Sequence, residues 1–143
     1  MQTFLPYKSY STSARALDRA RLGKQRLEAR MILEINLGLR ESRWSTHPAV
    51  KMWRGYEADL AVYGWWMCEE WIRRGYTDGQ KSFFSSVEKE VGPVPFMKPS
   101  FITDELILSH RSNLLRKMPE HYRRLWPDIP DDLPYYWPKE ETV

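Results

Sequence analysis

Apolar positions recur at helical spacing along three long stretches of the chain, and the polar positions between them mark where each stretch begins and ends. Ser9, Ser11, Thr12 and Ser13 each offer a hydroxyl that can cap a helix. The segment after them predicts one helix to about Leu37, with Gly38 as its stop. The linker "RESRWST" comes next. Thr46 or His47 then caps a second helix, Pro48 suits its first turn, and the helix is predicted to reach about Arg74 before Gly75 ends it. Along it Ala49, Trp53, Tyr56, Leu60, Tyr63, Gly64, Met67 and Trp71 form a core face, with Lys51, Glu69 and Arg73 opposite. A short helix fits within "TDGQKSFFSSVEKEV", whereas "GPVPFMKPS", with three prolines in nine residues, is loop. Thr103, followed by Asp104 and Glu105, starts a last helix through about Lys117, which Pro119 interrupts or ends. Residues 1–10 read as extended and "PDIPDDLPYYWP" as irregular. No segment alternates as a strand would. The expectation is an all-α fold. It is a single domain over residues 1–143, with three main helices, an irregular N-terminal segment, and an aromatic, proline-rich tail folded back over them.

The first helix carries an anomaly. On a wheel of about 100° per residue, Leu17, Ala20, Leu27, Met31, Ile32 and Ile35 define one arc, and Arg21, Lys24 and Glu28 fall within it. Arg19, Arg26 and Arg30 fall on the far side, where charge is expected. Burying a charge costs several kcal/mol unless it is paired and hydrogen-bonded. The three anomalous residues are one turn apart, so they could form a buried ladder of ion pairs. They could also face a cleft with only their stems buried, or line an active-site pocket.

Composition narrows the classes. A length of 143 residues suffices for one domain with a core. The net charge of +3 says little, but its distribution says more. Residues 11–30 and 108–126 are each locally +4, the second through Arg111, Arg116, Lys117, Arg123 and Arg124 against Glu120. The tail from Pro127, with Asp128, Asp131, Asp132, Glu140 and Glu141 against Lys139, is −4. Two basic patches fit a polyanion partner, and they equally fit solvated helix faces. Cys68 is the single cysteine, which excludes an internal disulfide and a cysteine-based zinc site. His47, His110 and His121 lack metal-type spacing. "MQTFLPYKSY" has no long apolar run of a signal peptide, and "LAVYGWWMC" is too short to span a bilayer. A reducing compartment is expected.

Five segments taken in order resemble one family: "LDRARLGKQRLEA" (17–29), "HPAVKMWRGYEADLAVYG" (47–64), "EWIRRGY" (70–76), "SHRSNLLRKMPEHYR" (109–123) and "YYWP" (135–138). The chain resembles the pyrimidine-dimer DNA glycosylases of the endonuclease V type, most of all their little-studied bacterial and phage members. Against the better-studied viral enzymes the resemblance rests on the first helix, on the step Arg74-Gly75-Tyr76 and on the aromatic tail. It implies an all-α fold without metal or other cofactor. It also implies a monomer acting on double-stranded DNA with a lesion or modified base, away from membranes, in the cytoplasm of a bacterial or phage-infected cell. The family's nucleophile is the N-terminal α-amine, and its glutamate on the first helix aligns without gaps to Glu28. Three differences stand out. Gln2 follows Met1, so methionine removal is not expected and the amine is that of Met1. The segment before the first helix is several residues longer, which bears on whether the amine reaches the pocket. Leu27 stands where the viral enzymes have arginine.

The chemistry suits these groups. A carboxylate can stabilise oxocarbenium character at C1′. An α-amine, with pKa about 7.7–8.0, offers far more free base at neutral pH than lysine at about 10.4. Attack at C1′ gives an imine whose 2′ proton is acidic, and Glu28 can serve in both steps. Arg21 and Lys24 are expected to keep Glu28 ionised, to hold phosphates, or both. Lys24 is an alternative amine if burial near Arg21 depresses its pKa. Trp44, Trp53, Tyr56, Tyr135, Tyr136 and Trp137 could wedge or stack against an extruded base. Arg26, His47, Arg54, His110 and Arg111 are further candidates for the DNA groove, with capping, core burial and solvated charge as their structural alternatives. A non-catalytic DNA-binding module and a protein-interaction domain remain competing readings.

Overall fold

A computed structural model describes residues 1–95 and 97–139. Glu140 and Glu141, counted above in the acidic tail, lie outside the described residues, as does Phe96 of the proline-rich loop. The described chain is helical without strands: α1 Tyr10–Ala16, α2 Arg19–Asn36, a 3-10 turn Arg43–Thr46, α3 Pro48–Met52, α4 Glu57–Arg73, α5 Lys81–Val91, α6 Asp104–Lys117 and α7 Pro119–Tyr122. The all-α expectation therefore holds, as do α5 and the Thr103 cap of α6, whose hydroxyl accepts from the Leu106 amide at 3.2 Å.

Both long predicted helices are broken. The first ends at Ala16 and restarts behind Asp18, whose carboxylate accepts from the Arg21 amide. Tertiary partners satisfy the break. The Arg74 guanidinium donates to the carbonyls of Ala14, Arg15 and Leu17, and the Tyr122 hydroxyl accepts from the Asp18 amide at 2.9 Å while donating to the Asp18 carboxylate. Helical periodicity sees none of these. The second break falls at Gly55, whose φ of 86° no other residue type adopts cheaply. Where the sequence places helix stops, Gly38 and Gly75 do stop α2 and α4. Leu39 N–H reaches the Glu34 carbonyl at 2.8 Å and Tyr76 N–H reaches the Trp71 carbonyl at 3.2 Å, each beyond a glycine of positive φ.

α2 and α1 pack on α4, and α5 packs on α4 as well, its Phe83 also lying under Arg30 of α2. Gly64 of α4 admits Phe84 of α5, since a Cβ at 64 would sit 2.2 Å from the ring. The predicted core face of the second helix is buried at Ala49, Trp53, Leu60, Tyr63 and Met67. The N-terminal segment is not a loose lead-in. Residues 2–5 are buried, threaded between α2, α4 and α6. The tail does fold back. Ser109 Oγ donates to the Pro134 carbonyl and accepts from the Tyr136 amide, Ser112 Oγ accepts from the Leu133 amide, and Arg116 donates to the carbonyls of Asp131 and Leu133.

Candidate active site

The buried face of α2 comprises Leu22, Gly23, Gln25, Ala29, Ile32 and Leu33. It lies to one side of the arc the wheel picked out. Leu27 is 52% exposed, Ala20 is exposed, and Leu17 precedes the helix. The arc built on Leu17, Ala20, Leu27 and Met31 left out Leu22, Ala29 and Leu33, which with Gln25 make the buried face. Arg21, Lys24 and Glu28 consequently line the rim of a cavity. The side chains of Lys24 and Glu28 are 70% and 12% exposed.

That cavity, of about 400 Å³, has three walls. The N-terminal segment supplies Met1, Gln2 and Phe4. α2 supplies Arg21, Lys24, Gln25 and Glu28. Lys117 at the end of α6 joins Tyr135 and Trp137 of the tail. Despite the long lead-in, residue 1 reaches the pocket, because residues 2–5 run straight through the core rather than looping over it. The Gln2 amide donates to Glu28 Oε2 at 3.1 Å. Three covalent bonds, about 4 Å at most, separate that nitrogen from the Met1 amine, which therefore lies within about 7 Å of the carboxylate.

The segment is held at almost every polar group. Gln25 Nε2 donates to the Gln2 carbonyl at 3.0 Å, and Gln25 Oε1 accepts from the Phe4 amide at 2.9 Å. The Tyr63 hydroxyl reaches the Phe4 carbonyl, Trp53 Nε1 donates to Thr3 Oγ1, and the Leu5 amide donates to His110 Nδ1. Arg111 Nε closes the run on the Pro6 carbonyl at 2.7 Å.

The expected ion-pair ladder does not form. Lys24 Nζ stands 3.6 Å from Glu28 Oε1, but Arg21 pairs with Asp18 at 3.2 Å instead. Lys24 is also largely exposed, so the burial on which its reading as an alternative amine rested is absent. His47 caps α3 as expected, its Nδ1 accepting from the Ala49 amide at 3.0 Å, so the neutral ring carries its proton on Nε2. Burial, then the positive charge of the Met1 amine, lowers its pKa, partly offset by Glu28. Its ring meets Trp44 and Trp137 edge-on at 5.6 and 5.8 Å, and Tyr135 stacks on Trp137. Trp44 is 39% exposed. These rings form an aromatic wall behind the cavity. Arg54, Tyr56 and Tyr136 line a neighbouring cavity of about 710 Å³ that shares Trp137 with the first.

Three further candidate DNA contacts line neither of these cavities. Arg26 is paired with the buried Asp78 and stacks on Trp71 at 4.5 Å. Its assignment to the outer face assumed that nothing packed there. His110 is fully buried among apolar residues, which pushes its pKa down to about 3. Arg111 packs over Tyr7 and Trp126 while holding Pro6. Trp53, offered as a wedge, is wholly buried. The sequence reading missed Gln25 and Lys117 at the cavity. The remaining signal was their placement, one a glutamine between apolar positions 22 and 29, the other the last cation of α6.

Residues 1–83, more than half the chain, match the family model described as pyrimidine dimer DNA glycosylase. No curated protein and no solved structure matches the chain.

Proposed function

The chain belongs to the pyrimidine dimer DNA glycosylase family, and from that premise we propose that it excises a damaged or modified pyrimidine from double-stranded DNA through an amine–imine route and then cleaves the strand. The observation that carries the reading is the bond from Gln2 N–H to Glu28 Oε2, which tethers the terminal amine beside a carboxylate in a cavity rimmed by Arg21, Lys24 and Lys117.

The Met1 amine donates its lone pair to C1′, and the C1′–N1 bond breaks with its electron pair leaving on the base, which takes up a proton. Glu28, ionised, stabilises the positive charge that builds on the sugar. Loss of an amine proton and opening of the C1′–O4′ bond give the imine, with O4′ protonated. Glu28 then removes the 2′ proton, and the C3′–O bond breaks with the 3′ phosphate as leaving group. Arg21, Lys24 and Lys117 are suited to the phosphates on either side of the target. The aromatic wall of Tyr135 and Trp137 offers a stacking face to a base taken out of the duplex.

The test uses duplexes each carrying one defined lesion, with base release and strand scission read separately, and borohydride trapping on abasic DNA. Peptide mapping of the adduct is expected to place it on Met1. An adduct on Lys24 would transfer the nucleophile's role to that side chain. Salt-sensitive binding with neither release nor adduct would leave a DNA-binding module, and no DNA binding at low salt would favour a protein-interaction domain.

A further inference from the structure

Glu28 and Gln2, the residue next to the amine, are 26 residues apart along the chain, and one side chain touches the anchors of both. Gln25 is 1% exposed. Its Nε2 donates to the Gln2 carbonyl at 3.0 Å and to Glu28 Oε2 at 3.2 Å. Its Oε1 accepts from the Phe4 amide at 2.9 Å and shares the single Tyr63 hydroxyl proton, at 2.7 Å, with the Phe4 carbonyl at 2.9 Å. A primary amide has two N–H donors and two acceptor lone pairs, and here all are used. The orientation of the amide is therefore fixed by four partners, two from the N-terminal segment, one from α2 itself and one from α4.

We propose that Gln25 is a positioning residue for the amine–carboxylate pair: its single amide locks the amine-bearing segment and the Glu28 carboxylate in one register. The proposal rests on the amine–imine reading above and adds to it the residue that makes the geometry reproducible. A flexible terminus ordinarily samples many positions. An amine must be held close to its near-attack position to gain the advantage of an intramolecular reaction. The bond from Gln2 N–H to Glu28 alone fixes one point of the segment. The bonds at the Gln2 carbonyl and the Phe4 amide fix its direction. Because Gln25 also donates to Oε2, the carboxylate turns Oε1 toward Lys24 and the cavity. The titratable and charged groups around Glu28 are the Met1 amine, Arg21 and Lys24 of α2, His47 ahead of α3, Tyr63 of α4 and Lys117 of α6. Gln25 is the uncharged member that touches the carboxylate itself.

Two variants test this. Gln25→Met removes all four bonds at nearly constant volume. Gln25→Glu keeps acceptors for Phe4 and Tyr63 but turns the two donors into acceptors facing Gln2 and Glu28. Each is compared with wild type by circular-dichroism melting, by affinity for abasic duplex, and by single-turnover trapping rate from pH 5 to 9. Gln25→Met is expected to trap about 10- to 100-fold more slowly, with duplex affinity within about twofold of wild type. Gln25→Glu is expected to move the acid limb of the rate profile upward by about one pH unit or more, again with affinity retained. Gln25→Glu keeps the bonds to Phe4 and Tyr63, and its pH profile read on the folded fraction decides the matter should Gln25→Met not fold. Wild-type rates and an unmoved profile in the variants would overturn the assignment, as would losses of rate that merely track lost affinity. An absence of adduct with the wild type overturns the amine–imine reading instead, so the two failures are told apart.

Discussion

Arg26 and Glu28 stand two positions apart on α2 and point to nearly opposite sides of it, each into a polar network built around a carboxylate. On the Arg26 side the centre is Asp78, whose side chain has no exposure. It accepts from the Arg26 guanidinium and from the amides of Gln80 and Lys81, capping the start of α5, with Trp71 closing the top. Those bonds hold its carboxyl below the usual range against the upward push of burial. On the Glu28 side, Oε2 is taken by Gln2 and Gln25, but the carboxylate still borders a cavity shared with Met1. The Asp78 side chain is wholly covered, although its residue borders a separate surface cavity with Gly79 and Lys81, whereas the Glu28 side chain keeps one open side toward Met1. A paired charge in a protein is therefore not informative in itself. The side of the pair left uncovered is what separates a structural contact from a candidate site.

Exchanging the two carboxylates' roles gives the sharpest break. Glu28→Gln is expected to reduce base release and trapping by on the order of 10²–10⁴-fold, the usual share of a catalytic acid–base group, with a melting temperature close to wild type. Asp78→Ala is expected to do the reverse. It leaves a buried guanidinium unpaired and should cost about 3–5 kcal/mol in urea unfolding, with trapping per folded molecule unchanged. If both variants lose activity in proportion to stability, the distinction drawn here fails.

The next effect belongs to the segment that feeds the site. His110 accepts the Leu5 amide in a fully buried position, with a folded pKa of about 3 against 6.5 for an unperturbed ring. The unfolded chain binds this proton at higher pH than the folded one. The stabilisation is thus complete above about pH 6.5 and is lost as pH falls from there toward 3, by up to about 1.4 kcal/mol per pH unit. Asp18, Asp78 and Glu70 are held low by hydrogen bonds and cations and add their own losses only further down. Urea unfolding at pH 5 and pH 7 is expected to separate wild type by this margin, whereas His110→Gln should show a flatter dependence. Equal stability of wild type at the two pH values would contradict it.

These two regions also show what a linear sequence reveals. The stops of α2 and α4 at Gly38 and Gly75, and the caps of α3 and α6 by His47 and Thr103, were legible because these residues act on backbone groups within a few positions of themselves, whereas the Asp18 cap of α2 was not. Glu28 was singled out because a charge amid apolar positions is a local anomaly. The N-terminal segment was not legible as core. Its backbone is satisfied by Gln25, Tyr63 and His110, which lie up to 105 positions away and have no periodic relation to it. Arg26 was misplaced for the same reason, since its partner Asp78 is 52 residues distant. The helix breaks at residues 17 and 18 depend on Arg74 and Tyr122, again far along the chain. Local chemistry marked the element ends, and long-range polar pairing decided the rest.

The smallest expected effect separates cations that face the cavity from those that do not. Lys24 is largely exposed, and its 3.6 Å contact with Glu28 is of a kind worth at most about 1 kcal/mol. Lys24→Ala should therefore leave unfolding nearly unchanged. If Lys24 meets a phosphate, the same change should lower the slope of log affinity against log salt by about 1, with similar weakening on every sequence. Arg26→Gln, made beside it, should lower stability and leave that slope alone, because the guanidinium is already committed to Asp78 and Trp71. A slope that falls for Arg26→Gln and not for Lys24→Ala would move the DNA to the opposite side of α2, away from Glu28, and would take the proposed active site with it.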